Sequence, residues 1–197
     1  MPKLQTRYWF SACALALALA CGARATPALA DSGVTRAIDP AKSRAQFSIA
    51  HIFVEWVTGT IPITGGTVEL AAGSAIPLAV SATLDPAKIE TGDRDRDAAL
   101  AGPEYFDVAN FPQWTFASTR IVATGPSAFA MDGSLTIHGV AQPEHLDVTV
   151  AGTAVAPVYH ATGHIDRHAF GMKGARLDPV IGNTADVTLD IGVLPAR

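Results

Sequence analysis

The side chains that most often carry out chemistry are few in this sequence. Among its 197 residues are six histidines and two cysteines. His164 and His168 are four positions apart, a spacing at which two histidines on a helix can share a zinc ion. The surrounding residues instead predict a strand that ends there, on which the two rings lie too far apart. No cysteine and no suitably spaced acid is near them, so we expect no metal site.

The sequence also lacks the motifs of several enzyme classes. It contains no G-x-S-x-G nucleophile elbow, no H-E-x-x-H helix and no glycine-rich phosphate loop. We therefore predict no catalytic residue and no cofactor, and we expect a binding protein. Two alternatives stay open: a periplasmic hydrolase or metal-dependent enzyme, and a ligand-free interaction module whose interior is packed solid.

Residues 1–30 have the pattern of a secretory signal peptide. Lys3 and Arg7 precede a run of small and apolar residues at 9–20, and Ala28-Leu29-Ala30 forms an A-x-A cleavage site. The apolar run is too short to span a membrane. We predict cleavage after this site and export to the periplasm.

Cleavage leaves a mature domain of residues 31–197. Lipoprotein processing at Cys21 is the less favoured alternative, because Leu19 lies one position later than that signal prefers. Both cysteines fall in the leader, so the mature chain has no thiolate site and no disulfide. The leader holds three of the 14 basic residues and none of the 18 acidic ones, which gives the mature chain a net charge of −7. This charge argues against nucleic acid as a partner; transient inner-membrane contact and a homodimer stay open.

Short runs of alternating polar and apolar residues fill most of the mature chain. Phe47, Ile49 and His51 share one parity, as on a strand with one buried face. Gly59 predicts a bulge or bend in the following strand, and Gly65-Gly66 predicts a hairpin turn. The regular spacing of such runs predicts an all-β protein of about eight antiparallel strands, either a barrel or a sandwich.

Many of the inward positions carry small residues, which favours a barrel with an internal apolar cavity over a filled sandwich. These residues are Ala45, Ala82, Gly133, Ala161, Gly163 and Ala185.

The stretch from Asp93 to Phe116 differs from the rest. Asp93 or Thr91 can cap a short polar helix in which Leu100 is the apolar anchor, and Gly102-Pro103 ends that helix. Five aromatic residues follow: Tyr105, Phe106, Phe111, Trp114 and Phe116. We predict an aromatic loop that covers the barrel mouth.

Each of three polar side chains near this mouth has two candidate roles. His51 should point inward, where its ring bonds either a ligand headgroup or the backbone, the latter being favoured. Arg96 and Asp97 either orient the lid or meet a headgroup, with a simple capping or ion-pair role at least as well supported.

Three stretches, in this order and spacing, resemble the YceI-like polyisoprenoid-binding family. They are Ile38-Asp39-Pro40 with Phe47, Ile49, His51 and Gly59; Arg96-Asp97 with Tyr105-Phe106-Asp107-Val108 and Phe111-Pro112; and Leu135-Thr136-Ile137-His138-Gly139 with Ile165-Asp166-Arg167 and Phe170-Gly171-Met172. The likeness covers nearly all of the mature chain. The sequence departs from the family pattern at Ala99, Ser134 and Glu144, where His, Asp and an apolar residue are frequent.

This resemblance implies a lipocalin-like antiparallel β-barrel in the periplasm that encloses a long isoprenoid lipid, such as a ubiquinone or a polyprenyl lipid. It implies no catalytic residue. Residues from these stretches and from the aromatic loop are the expected ligand contacts. The candidates are His51, Phe53, Trp56, Leu100, Tyr105, Phe106, Phe111, Trp114, Phe116, Leu135, Ile137, Phe170 and Met172.

Overall fold

The computed structural model describes residues 33–51, 55–173 and 178–195, which belong to one unit that spans Asp31–Arg197. These residues contain ten strands and one α-helix, α1, at Arg94–Ala101. The strands are β1 Val34–Ala37, β2 Arg44–His51, β3 Glu55–Ile61, β4 Ile63–Leu70, β5 Pro77–Leu84, β6 Trp114–Gly125, β7 Ala128–Ile137, β8 Val140–Thr153, β9 Ala156–Asp166 and β10 Ile181–Gly192. Short 3-10 helices lie at Pro40–Lys42, Pro86–Lys88, Arg167–Phe170 and Asp178–Val180.

All ten strands belong to one sheet, in the order β1-β4-β5-β6-β7-β8-β9-β10-β2-β3, and every neighbouring pair is antiparallel. The prediction of an all-β antiparallel barrel is confirmed, with ten strands where about eight were predicted. The extra strands include β1, which has only four residues and no clear alternation.

The chain itself joins the two ends of this sheet. Pro62 alone links β3, the last strand of the sheet, to β4, the second strand from the other end. An isolated bridge between Ile38 and Val193 makes a further connection from the β1 end to the end of β10. The sheet therefore curls into a barrel, and its inward side chains surround a common interior.

Strand β7 shows why the sequence folds in this way. Its burial alternates at every position, with Phe129, Met131, Leu135 and Ile137 buried. It ends in a two-residue turn whose residues, His138 and Gly139, both have positive φ, at 54° and 73°. Such a turn matches the twist of the two strands it joins, so it fixes the register of β7 on β8.

Two glycine predictions are wrong. Gly59 makes no bulge: it pairs with Phe47 in an unbroken β2–β3 register, and a Cβ there would lie 2.6 Å from the Phe47 ring. Gly65-Gly66 makes no hairpin turn and lies inside β4, beside a register shift. At Gly66, where φ is +143°, a Cβ would lie 2.1 Å from the Ser81 carbonyl oxygen. Both glycines admit close neighbours in places where a side chain cannot fit.

Helix α1 forms where the sequence predicted it. The Asp93 carboxylate accepts hydrogen bonds from the backbone N–H groups of Asp95 and Arg96, at 3.0 and 3.1 Å. The helix ends at Gly102, and the backbone N–H of Phe106 donates to the Leu100 carbonyl at 3.0 Å. No residue of α1 is fully buried, so its caps and its position over the sheet stabilise it more than packing does.

We expect Gly59→Ala to lower the free energy of unfolding by about 1–3 kcal/mol, because the new methyl group overpacks the contact with the Phe47 ring. Urea unfolding followed by circular dichroism measures the change. Gly65→Ala is the matched control, since a Cβ there meets nothing within 4 Å. Equal stability of the two variants would contradict the close packing assigned to Gly59.

Candidate ligand cavity

The curled sheet encloses a cavity of about 990 Å³. Most of the side chains that line it are aliphatic or aromatic, and they come from the inward positions of β2 to β10 and from α1 with its following loop. The volume lies at the upper end of the range for small-molecule sites. A site of this size and composition suits a long apolar ligand.

The small inward residues act in two different ways. Ala45, Ala82, Ala161 and Ala185 line the cavity and leave it wide. Gly133 and Gly163 do not line it, because a neighbour occupies the space above each. A Cβ at Gly133 would lie 2.2 Å from the Phe116 ring, and one at Gly163 would lie 2.6 Å from the Leu146 side chain. The alanines therefore create volume, whereas these two glycines let larger side chains pack.

The segment after β5 covers one end of the barrel. Leu100, Tyr105 and Phe106 all line the cavity. The Phe106 ring packs edge-on against Trp114, with centroids 4.7 Å apart, and both residues are only 7% exposed. These side chains form an apolar lid at this end of the cavity.

The opposite end of the cavity is closed by Tyr159. Its hydroxyl donates to the Ala75 carbonyl at 3.0 Å, and its ring packs edge-on against Phe129 at 6.1 Å. Burial raises the pKa of Tyr159 to about 12. The phenol is therefore neutral at physiological pH and adds no charge to this end of the cavity.

Arg167 is a buried cation at the edge of the cavity, 5% exposed. Its guanidinium donates to the carbonyls of Gly182, Met172 and Ile181 at 2.8, 2.7 and 3.1 Å. These bonds tie the end of β9 to the start of β10. Gly171, with φ of 80°, reverses the chain between them. The arginine therefore connects the end of this strand to the loop that follows it.

Glu144 lies on the inward side of β8, in the same parity as the buried residues Leu146 and Val148. It lines the cavity just before the first β8–β9 pair, Leu146 with Gly163. Burial raises the pKa of Glu144 above its ordinary value, and the nearby negative charge of Asp166 adds to the rise. The site thus contains a carboxyl group that is costly to ionise.

The structure brings most of the predicted contact residues to the cavity wall. Those that line it are His51, Leu100, Tyr105, Phe106, Trp114, Phe116, Leu135, Ile137 and Met172. No hydrogen bond to the His51 ring occurs within the described part of the chain. Phe53 lies outside the described residues.

Three predicted contacts lie away from the cavity. Trp56 is 63% exposed on the outer face of β3, because Val57, the next residue, takes the inward parity. Phe111 packs edge-on against His138, with centroids 4.8 Å apart, and fills the space over Gly139. Phe170 is fully buried in the core.

Sequence reasoning missed much of the aliphatic wall. The missed residues include Val57, Val80, Leu84, Val187, Leu189 and Ile191. The alternation in β3, β5 and β10 indicates that these residues face inward, but the prediction of ligand contacts gave priority to aromatic residues.

Histidines on the outer face of the sheet pair with aspartates instead of gathering around a metal. The Nδ1 atoms of His145 and His164 lie 2.6 and 2.7 Å from the carboxylates of Asp132 and Asp186. Residues 33–51, 55–173 and 178–195 contain no group of three or more His, Cys, Asp or Glu side chains that could hold a metal ion.

The comparison with protein families decides the relationship. Residues 37–193 match the model of the YceI-like domain. The chain belongs to the YceI-like family. This match covers every strand from β2 to β10 and the lid segment, so the YceI-like domain accounts for the whole cavity.

Curated relatives agree with this membership. A UPF0312 protein of Pseudomonas savastanoi is 28% identical over 134 residues, which cover 65% of this chain and 70% of the relative. Protein YceI of Salmonella newport is 31% identical over 111 residues, covering 56% of this chain and 58% of that protein.

Two solved structures share the YceI-like fold. BcnA of Burkholderia cenocepacia superposes with a TM-score of 0.66 at 21% identity, covering 80% of this chain and 99% of BcnA. A polyisoprenoid binding domain from Saccharophagus degradans, implicated in plant cell wall breakdown, superposes with a TM-score of 0.65 at 16% identity, covering 83% of this chain and 99% of that domain.

Within the described residues of this YceI-like chain, no helix is long and apolar enough to cross a membrane.

We expect Glu144→Gln to stabilise the fold at pH 7.5 and to have little effect near pH 4. A carboxyl group with a raised pKa costs nothing below its ordinary pKa, because it is protonated in both the folded and the unfolded states. The cost appears as the pH rises through the raised value and persists above it. Thermal unfolding at the two pH values measures the effect.

Glu69→Gln is the control for this experiment, since Glu69 is exposed on β4 and away from the cavity. An equal gain from Glu144→Gln at both pH values would contradict the assignment of a burial cost to the ionised carboxylate.

Proposed function

We propose that this YceI-like protein is a periplasmic carrier that holds a long isoprenoid lipid, of the ubiquinone or polyprenyl type, inside its barrel. The observation that carries the proposal is the lidded apolar cavity of about 990 Å³. It exceeds by a wide margin the roughly 300 Å³ at which small-molecule pockets begin, so a solidly packed interaction module is not favoured. The polyisoprenoid binding domain from Saccharophagus degradans, which shares the fold, supports the same class of ligand.

The volume sets the length of tail that fits. At roughly 30 Å³ for each small group, the share that liquid water gives one molecule, the cavity holds about 30 non-hydrogen atoms. This corresponds to about six five-carbon isoprene units. A longer tail has to fold back or extend through the mouth.

The apolar contacts supply more than enough affinity. Burying one isoprene unit contributes roughly 4 kcal/mol, at ~0.8 kcal/mol for each carbon. Five or six units already reach the limit of about 18–21 kcal/mol for non-covalent complexes. Selectivity must therefore come from tail length and from the polar groups at the mouth, and most wall contacts need only be apolar.

Native mass spectrometry of the mature protein, purified from the periplasm of its own host, tests the proposal. We expect a bound mass that organic extraction releases and identifies as an isoprenoid. Protein with an empty interior that also takes up no added ubiquinone or prenol would overturn the proposal.

We expect Ala185→Phe to weaken binding of a 30-carbon prenol at least tenfold and of the 15-carbon farnesol less than threefold. The phenyl ring adds about as many carbons as one isoprene unit to the wall and thus removes the room that only the longer tail needs. Competition against a fluorescent fatty probe measures both affinities.

Thr184→Phe is the matched control, because Thr184 is the adjacent residue of β10 and is exposed. It should leave both affinities unchanged. If Ala185→Phe weakened both prenols equally, or neither, the cavity would not be the site that measures tail length.

A further inference from the structure

The described part of the cavity wall contains more acidic than basic side chains. Among residues 33–51, 55–173 and 178–195, four carboxylates and two guanidinium groups line it. The charged residues are Glu55, Asp93, Arg96, Glu104, Glu144 and Arg167. The side chain of His51, at the end of β2, also lines the cavity.

Both cations already have partners. The Arg96 guanidinium lies 3.5 Å from the Asp93 carboxylate, within α1 and its cap. The Arg167 guanidinium donates to three backbone carbonyls around the start of β10. Arg167 is therefore held by the backbone, whereas the Nε atom of Arg96 is buried with no hydrogen-bond partner among the described residues, and the charge of Arg96 is offset by Asp93.

Three carboxylates have no such partner. Within residues 33–51, 55–173 and 178–195, no ion pair involves Glu55, Glu104 or Glu144. They come from separate elements: the start of β3, the loop after α1, and the inner face of β8. Even with Glu144 protonated, the carboxylates of the wall outnumber its guanidinium groups.

We propose that the cavity accepts isoprenoid lipids with an uncharged headgroup and rejects isoprenyl phosphates. The inference rests on the proposed function and specifies the ligand class of the same cavity. A phosphate monoester carries a charge of about −1.5 to −2 at neutral pH. Placed beside unpaired carboxylates and apolar walls, it loses hydration and gains repulsion. A hydroxyl group costs less to bury and can donate a hydrogen bond to the same carboxylates.

Because Glu144 is half-buried, it contributes most to the discrimination between charged and uncharged headgroups. Glu55 and Glu104 are exposed, so salt screens their charges. Glu144 is partly enclosed by the wall, and burial already raises its pKa. The repulsion between the Glu144 carboxylate and an anionic headgroup is therefore poorly screened by salt.

Two ligands with the same 20-carbon tail test the inference: geranylgeraniol and geranylgeranyl monophosphate. Affinities of the mature protein are measured by isothermal titration at pH 8, where an ordinary histidine is neutral, in 50 mM and 500 mM salt. We expect the alcohol to bind at least tenfold more tightly than the phosphate. The triple variant Glu55→Gln, Glu104→Gln, Glu144→Gln should reduce the ratio of the two affinities at least fivefold, because a glutamine carbonyl oxygen still accepts a hydrogen bond from the alcohol whereas the repulsion of the phosphate is lost.

Single variants separate the local effect from the overall charge. Glu144→Gln should tighten phosphate binding at both salt concentrations, whereas Glu69→Gln, which removes the same charge away from the cavity, should not. Far-ultraviolet circular dichroism of each variant shows that it is folded.

The outcomes are distinguishable. Equal binding of the two ligands by the unaltered protein would overturn the inference and leave the proposed function intact. Binding of neither ligand would overturn the proposed function and the inference with it.

Discussion

A wide apolar space inside a protein is stable only if the backbone around it satisfies its own hydrogen bonds. Here an almost continuous antiparallel ladder of ten strands provides that satisfaction. Because the wall supports itself, the inward side chains need not meet across the middle. Alanines at four inward positions then keep the interior wide. The cavity is thus a property of the backbone first, and the side chains set its volume and chemistry.

The two ends of this cavity have different chemistry. At the floor, Tyr159 is neutral and its hydroxyl is already bonded to the backbone. At the mouth, charged residues stand among the aromatic side chains of the lid. A molecule with a long tail and a small polar head has one favoured orientation in such a space, with the tail directed to the floor. The polarity of the fold therefore matches that of an amphiphile.

Much of the fold and part of the site could be predicted from the sequence, for identifiable reasons. The alternation in β7 gave its buried face directly, and the Asp93 cap and Gly102 gave the bounds of α1. Trp56 was predicted to contact the ligand because it is a large aromatic residue. The inward-facing side of β3 carries Val57 instead, and Trp56 faces outward. Gly59 and Gly66 were misread because a glycine that makes a turn and one that admits a neighbour look alike in sequence. Only the three-dimensional contact distinguishes them.

The link between β3 and β4 at Pro62 has a consequence for how the chain folds. Strands β3 and β4 are adjacent in sequence but lie toward opposite ends of the sheet, and β10, near the carboxyl terminus, must pair with both β9 and β2 to unite them. Contacts that span so much of the chain form slowly, because the entropy of closing the loop is lost before the pairing is gained. A growing chain that lacks residues 181–192 cannot complete the barrel. The wall of the cavity is therefore complete only after the last strand has paired with both β9 and β2.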